Sequence, residues 1–176
     1  MILHKKLDGA STWTVETLPP GEGHIFITDD CIEELEGLIG ELRMNPLPLP
    51  ALQSDDFELP ECRRLVSKAR HCLDEGPGFV LIDRFPIDRW KHDDARAAYW
   101  LLCSMIERPV AQKWDGTMIY DVRDTGKKPG NGVRPDITSV KQNFHTDNSY
   151  NRCPPWYVAL LCLQTAKEGG VSGLVS

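Results

Sequence analysis

The stretch TSVKQNFHTDNSYNRCPPWYVALLCLQ, residues 138–164, decides how the chain folds. Its first part, Thr138 to His145, reads as a strand that runs into the turn-forming Asp147-Asn148-Ser149. Its last part, Pro155 to Gln164, is a long apolar run of the kind found in a central strand. Such a strand needs cover on both faces and neighbours on both edges. Two further strands are expected on either side: TMIYDV from Thr117 to Val122, and VSGLVS after the Gly169-Gly170 turn. DTGKKPGNGVRPD, residues 124–136, is rich in glycine and proline and reads as a mobile loop. The final run has neither cap nor polar tail. The chain is therefore expected to be the N-terminal portion of a longer protein, or to be completed by another chain.

Upstream the pattern is helical. In DDCIEELEGLIGELR, residues Ile32, Leu35, Leu38, Ile39 and Leu42 form an apolar stripe at helical spacing, and Thr28, Asp29 or Asp30 can cap its start. Pro46, Pro48, Pro50 and Pro60 then make an extended connector. A second helix is expected from Glu61 to Leu73, with Leu65, Val66, Ala69 and Cys72 or Leu73 inward, ended by Gly76-Pro77-Gly78. GFVLIDRF, Gly78 to Phe85, reads as a buried strand. A third helix should run from Asp93 or Asp94 to Glu107, with Ala95, Ala98, Tyr99, Leu102, Cys103 and Ile106 facing the core. Helices first and strands later predict an α+β fold, with a helical region over 1–77 and a β core over 78–176.

Composition narrows the function classes. The 176 residues are 41% hydrophobic and 26% charged, with a net charge of −6 and a mean hydropathy of −0.34. That is ordinary for a soluble globular chain and excludes a disordered tail or a fibrous repeat. An acidic chain with no basic cluster lacks the footprint of a nucleic-acid binder, and no apolar run reaches the ~20 residues a membrane-spanning helix needs. The six cysteines form no C-x-x-C pair. Cys103 and Cys162 lie in apolar runs, so the set reads as reduced core cysteines of a cytoplasmic protein.

The chemistry concentrates in KQNFHTDNSY, residues 141–150. His145 and Asp147 are two apart, so on a strand both project from one face. An imidazole nitrogen and a carboxylate aimed at one point are two-thirds of a 2-His-1-carboxylate triad, which holds Fe(II) and leaves positions open. Lys141 and Asn143 fall on the same face and are candidate substrate-lining residues. Spacing alone is cheap evidence: five histidines and 15 aspartates give about 0.4 H-x-D matches by chance, and His92-x-Asp94 is a second one. That second pair opens a helix, where an aspartate is an N-cap and side chains at i and i+2 diverge.

Context separates the two pairs. GFVLIDRFPID (78–88), IERPVAQKWDGTMIYDVRDTGK (106–127), NFHTDNSY (143–150) and VALLCLQTAKEGGVSGLVS (158–176) occur in order. Together they resemble the taurine dioxygenase and clavaminate synthase-like family of Fe(II)- and 2-oxoglutarate-dependent oxygenases, from about Ser11 to Ser176. The resemblance implies N-terminal helices packed on an incomplete double-stranded β-helix, or jelly roll. It implies that His145 and Asp147 ligate Fe(II), that 2-oxoglutarate chelates the metal, and that Ser172 borders the co-substrate. Oxidative decarboxylation of 2-oxoglutarate with molecular oxygen would then hydroxylate a small-molecule substrate. An aspartate at 147 argues against halogenation.

The family's distal histidine and 2-oxoglutarate-binding arginine have no counterpart. The 29 residues after Asp147 contain no histidine and only Arg152, which lies too near the metal strand. The chain alone is therefore expected to be inactive, with the unfinished sheet edge favouring self-association or a completing segment. A non-catalytic binding or interaction module on a degenerate oxygenase fold is the alternative. A serine hydrolase is rejected, because Leu174 breaks the G-x-S-x-G elbow at Ser172. Trp114, Tyr120 and Trp156 read as packing aromatics.

Overall fold

Three helices and one short parallel β-pair carry the regular structure of the computed structural model, which describes residues 7–176. The chain divides into two compact units. One comprises residues up to Arg108 with Ala159–Val171 and Val175–Ser176; the other comprises Pro109–Val158 with Ser172–Leu174.

In the first unit, helix α1 (Asp29–Met44) starts where its sequence says it should. Of the three possible caps the structure uses Thr28, whose hydroxyl accepts the Cys31 N–H at 3.2 Å. Helix α2 (Pro60–Asp74) begins with proline at its first turn, where the missing N–H costs nothing. Its next two N–H groups are capped from another helix. The Glu34 carboxylate on α1 accepts from Glu61 at 2.8 Å and from Cys62 at 2.9 Å. This places a negative charge at the positive end of the α2 dipole and ties the two helices together.

Helix α3 (His92–Ile106) starts one residue before the expected aspartates, with Lys91 in the cap position. Asp94 still supports the start by reaching back to the Lys91 N–H at 3.3 Å, and it pairs with Arg43 of α1 at 2.6 Å. The second H-x-D match is thus structural, as its helical setting required.

The core of this unit lies between these helices. Leu35, Leu38 and Ile39 of α1, Leu65, Val66 and Ala69 of α2, and Ala95, Ala98 and Leu102 of α3 are all buried. Helix α3 buries a wider face than its stripe suggested, because it packs against both α1 and α2. Ala97, Trp100 and Leu101 go inside as well, and the Trp100 indole N–H finds the Leu52 carbonyl at 3.2 Å. Leu52 is held by two 3-10 turns, Leu49–Ala51 and Ser54–Asp56, where an extended connector was expected.

The strand expected at Gly78 to Phe85 is shorter and less buried than its composition implied. Strand β2 (Leu81–Asp83) pairs in parallel with a strand β1 (His24–Phe26) that the sequence reading did not anticipate. Leu81 and Phe26 are exposed because two strands cannot cover both faces of themselves. Gly23, at φ +73°, allows the approach to β2: a Cβ there would sit 2.8 Å from the Phe79 ring. Gly76 ends α2 in a similar way, since a Cβ would lie 2.9 Å from the Cys72 carbonyl oxygen.

The second unit is built from turns. The Asp115 carboxylate accepts from the Thr117 N–H at 3.0 Å and the Thr117 hydroxyl at 2.6 Å, which also holds its pKa below the usual range. The glycine-rich loop is closed at its neck by Arg123 N–H to Asp136 carbonyl (3.1 Å) and Thr125 N–H to Ile137 carbonyl (3.0 Å). Tyr120 packs beside that neck, with the Lys113 ammonium 4.3 Å and the Arg134 guanidinium 5.6 Å from its ring centroid.

Four expected strands differ from the structure. Thr117 to Val122, Thr138 to His145, Pro155 to Gln164 and Val171 to Ser176 belong to no ladder. Among the described residues β1 and β2 are the only strands, so a jelly roll is not present in them. The physical reason is that a strand's N–H and C=O groups are satisfied by a neighbouring strand, and these segments have none here. The same lack of cover leaves Trp156, Val158 and Leu160 exposed where a central strand was expected. It also leaves Cys153 and Cys162 exposed rather than in a core. No helix among the described residues is long and apolar enough to cross a membrane.

Candidate metal centre

His145 and Asp147 flank Thr146 just before a tight turn. Asn148 adopts φ +50° and its carbonyl accepts the Asn151 N–H at 2.9 Å, so the chain reverses immediately after Asp147. Asparagine is one of the few residues that tolerates this conformation. The Tyr150 hydroxyl donates to the Asn148 side chain at 3.1 Å and reinforces the bend.

Upstream of the turn the two side chains converge. His145 Nε2 lies 3.0 Å from Asp147 Oδ1, and His145 Nδ1 lies 2.7 Å from the Asn143 carbonyl oxygen. Both neighbours are acceptors, which favours the protonated ring. The His145 pKa is accordingly raised, first by the Asn143 carbonyl and then by the Asp147 charge. Both side chains are about half exposed, at 53% and 47%.

The pair offers one nitrogen and one oxygen donor, the chemical types a divalent first-row cation takes. With Nδ1–H committed to a carbonyl, the Nε2 lone pair is the one available to a metal, the usual way a protein fixes a ligand histidine. A hard carboxylate beside an imidazole suits Fe(II) rather than a thiolate-seeking ion. Among the described residues no cluster of three His, Cys, Asp or Glu side chains forms.

The other expected site residues are placed less closely. Asn143 meets His145 through its backbone carbonyl, whereas the sequence reading had assigned its side chain to the substrate. That acceptor role has no signature in sequence, because every residue carries a carbonyl. Lys141 and Asn143 are exposed. Ser172 is exposed too, and its neighbour Gly173 approaches the residue before His145: a Cβ on Gly173 would lie 3.2 Å from the Phe144 ring.

Comparison with known proteins places this geometry in context. The chain is 25% identical over 173 residues to FR-33289 synthase of Streptomyces rubellomurinus (strain ATCC 31215), covering 96% of this chain and 49% of that protein. It is 33% identical over 72 residues to dichlorochromopyrrolate synthase of Lentzea aerocolonigenes, covering 41% of this chain and 7% of that protein. The chain therefore spans about half the length of the first of these relatives. The family model described as taurine catabolism dioxygenase TauD, TfdA family matches residues 45–176, three quarters of the sequence, and the chain belongs to that family.

Proposed function

We propose that the chain contributes the first two iron ligands of an Fe(II)- and 2-oxoglutarate-dependent dioxygenase that hydroxylates a small molecule. The observation that carries this reading is the 3.0 Å approach of His145 Nε2 to Asp147 Oδ1, with Nδ1 held by the Asn143 carbonyl. His145 would give the metal a neutral nitrogen donor in a fixed tautomer. Asp147 would give a carboxylate that offsets one unit of the ion's charge. Ser172, on the segment that meets Phe144, would border the co-substrate. Lys141 and Asn143, four and two residues before His145, would line the substrate side. When bound, the iron and 2-oxoglutarate supply the oxidising power; the protein's task is to fix the open positions and place the C–H bond. The remaining donor and the carboxylate clamp would come from a completing segment or a second copy. The same reading places the protein in a reducing cytoplasm, with molecular oxygen and a small molecule as its partners and no nucleic acid or membrane.

Anaerobic addition of Fe(II) and 2-oxoglutarate to the whole gene product should produce a metal-to-ligand charge-transfer band in the visible. His145→Ala and Asp147→Ala should each abolish it. No band, or a band indifferent to both substitutions, defeats the proposal and leaves a non-catalytic binding module on the same fold.

A further inference from the structure

Cys31 and Cys62 occupy equivalent positions, the third residue of α1 and the third of α2. Each backbone N–H is tied down, Cys31 to the Thr28 hydroxyl and Cys62 to the Glu34 carboxylate. The two side chains meet between the helix starts: Sγ to Sγ is 3.1 Å, and the Cys62 thiol also reaches the Cys31 carbonyl oxygen at 3.6 Å. Both residues have zero solvent exposure. The other four cysteines are half-buried (Cys72, Cys103) or exposed (Cys153, Cys162).

We propose that Cys31 and Cys62 form a redox couple, a buried dithiol that a hydroperoxide oxidises to a disulfide stapling α1 to α2. The sulfurs need to close by about 1 Å to reach the ~2.05 Å of an S–S bond. Cys31 is the attacking sulfur, because the Glu34 carboxylate bound at the Cys62 N–H disfavours a second negative charge on Cys62. The contact between the two sulfurs lowers the Cys31 pKa, and the same contact together with burial pushes Cys62 upward. The Cys31 thiolate attacks one peroxide oxygen and the O–O bond breaks, giving a sulfenic acid and, with one proton, water. The Cys62 thiol then attacks the Cys31 sulfur, the S–O bond breaks, and a second water leaves with the Cys62 proton. In total two thiols lose two electrons and two protons, and hydrogen peroxide becomes two waters. Burial makes the reaction slow and protects the product from further oxidation, because the oxidant enters only when a first turn opens.

The test uses a chain carrying Cys153→Ser and Cys162→Ser, so that the exposed thiols do not compete. It is treated with hydrogen peroxide, alkylated without reductant, digested and analysed by mass spectrometry. A peptide pair joined through Cys31 and Cys62, about 2 Da lighter than the two free peptides, is expected. The midpoint of thermal unfolding should rise by about 10 °C, because the bond closes a long loop in the unfolded chain, and a thiol reductant should reverse the rise. Cys31→Ala should give neither change. Should that variant fail to fold, the reduced and oxidised forms of the same protein still decide the matter. Sulfinic or sulfonic acid at either residue without a link, or a link that leaves the midpoint unchanged or lower, overturns the proposal.

Discussion

The residues before and after the end of α3 differ in what satisfies them. Up to Leu102 the chain builds helices whose backbone groups pair within their own segments, and their apolar stripes have partners to pack on. After Leu102 no described residue is buried. The apolar content is not lower there: Phe144, Trp156, Val158 and Leu160 are as hydrophobic as anything in the helices, yet they are exposed. A helix closes its hydrogen bonds over four residues, whereas a strand borrows its partner from elsewhere in sequence. Local sequence suffices for the first kind of structure and not for the second.

Two tryptophans break or sharpen this contrast most directly. Trp100 is 6% exposed, with its indole N–H on the Leu52 carbonyl, and Trp156 is 89% exposed. Trp100→Ala removes a large core side chain and strands a carbonyl, and should cost about 3–5 kcal/mol in urea unfolding. Trp156→Ala should change stability by less than about 0.5 kcal/mol. Equal losses at the two sites would show that Trp156 is covered in solution and that the contrast is false.

A smaller effect probes how the helical unit is joined. Glu34 caps α2 from α1, so its removal should weaken one helix through the other. Glu34→Ala should cost about 2 kcal/mol and Glu34→Gln, which keeps an acceptor but loses the charge, about 1 kcal/mol. Both are read from the shift of the urea midpoint at constant slope. A Glu34→Ala variant as stable as the parent would mean that water caps α2 equally well.

Legibility in the sequence followed the same divide. The three helices were visible because Leu35, Leu38 and Ile39, or Leu65, Val66 and Ala69, recur at helical spacing, and because Thr28 and Gly76 mark a start and a stop. Strand β1 was not visible: His24–Phe26 is three residues long and half-buried, too short for a period of two to register. The 3.0 Å approach of His145 to Asp147 agrees with their spacing of two, although the strand expected to carry them is not formed. The carbonyl that fixes His145 was not readable, nor was the Glu34 cap, because both depend on which groups tertiary structure brings together. Strand pairing after Arg108 could not be read from composition, since Pro155 to Gln164 has a strand's residues and no neighbour among those described.

The least of the expected effects lies at the Arg43–Asp94 pair, which joins α1 to the start of α3. The Arg43 guanidinium, chiefly through its hydrogen bond, holds the Asp94 carboxyl below its ordinary value of 3.8. A carboxylate with a depressed pKa stabilises the folded state most when ionised. Its contribution is therefore complete above the ordinary value and is lost as the pH falls below 3.8 through the depressed one. Arg43 is about half exposed, so solvent and salt screen the pair and keep its contribution at neutral pH small. Asp94→Asn keeps an acceptor for the Lys91 N–H and removes only the charge, which isolates the ion pair from the cap. The difference in stability between parent and variant should be near its maximum at pH 7, shrink with added salt, and vanish at the acid end of that window. A difference that grew on acidification would mean that the Asp94 carboxyl is stabilised in its protonated form. The joint between α1 and α3 would then rest on apolar packing alone.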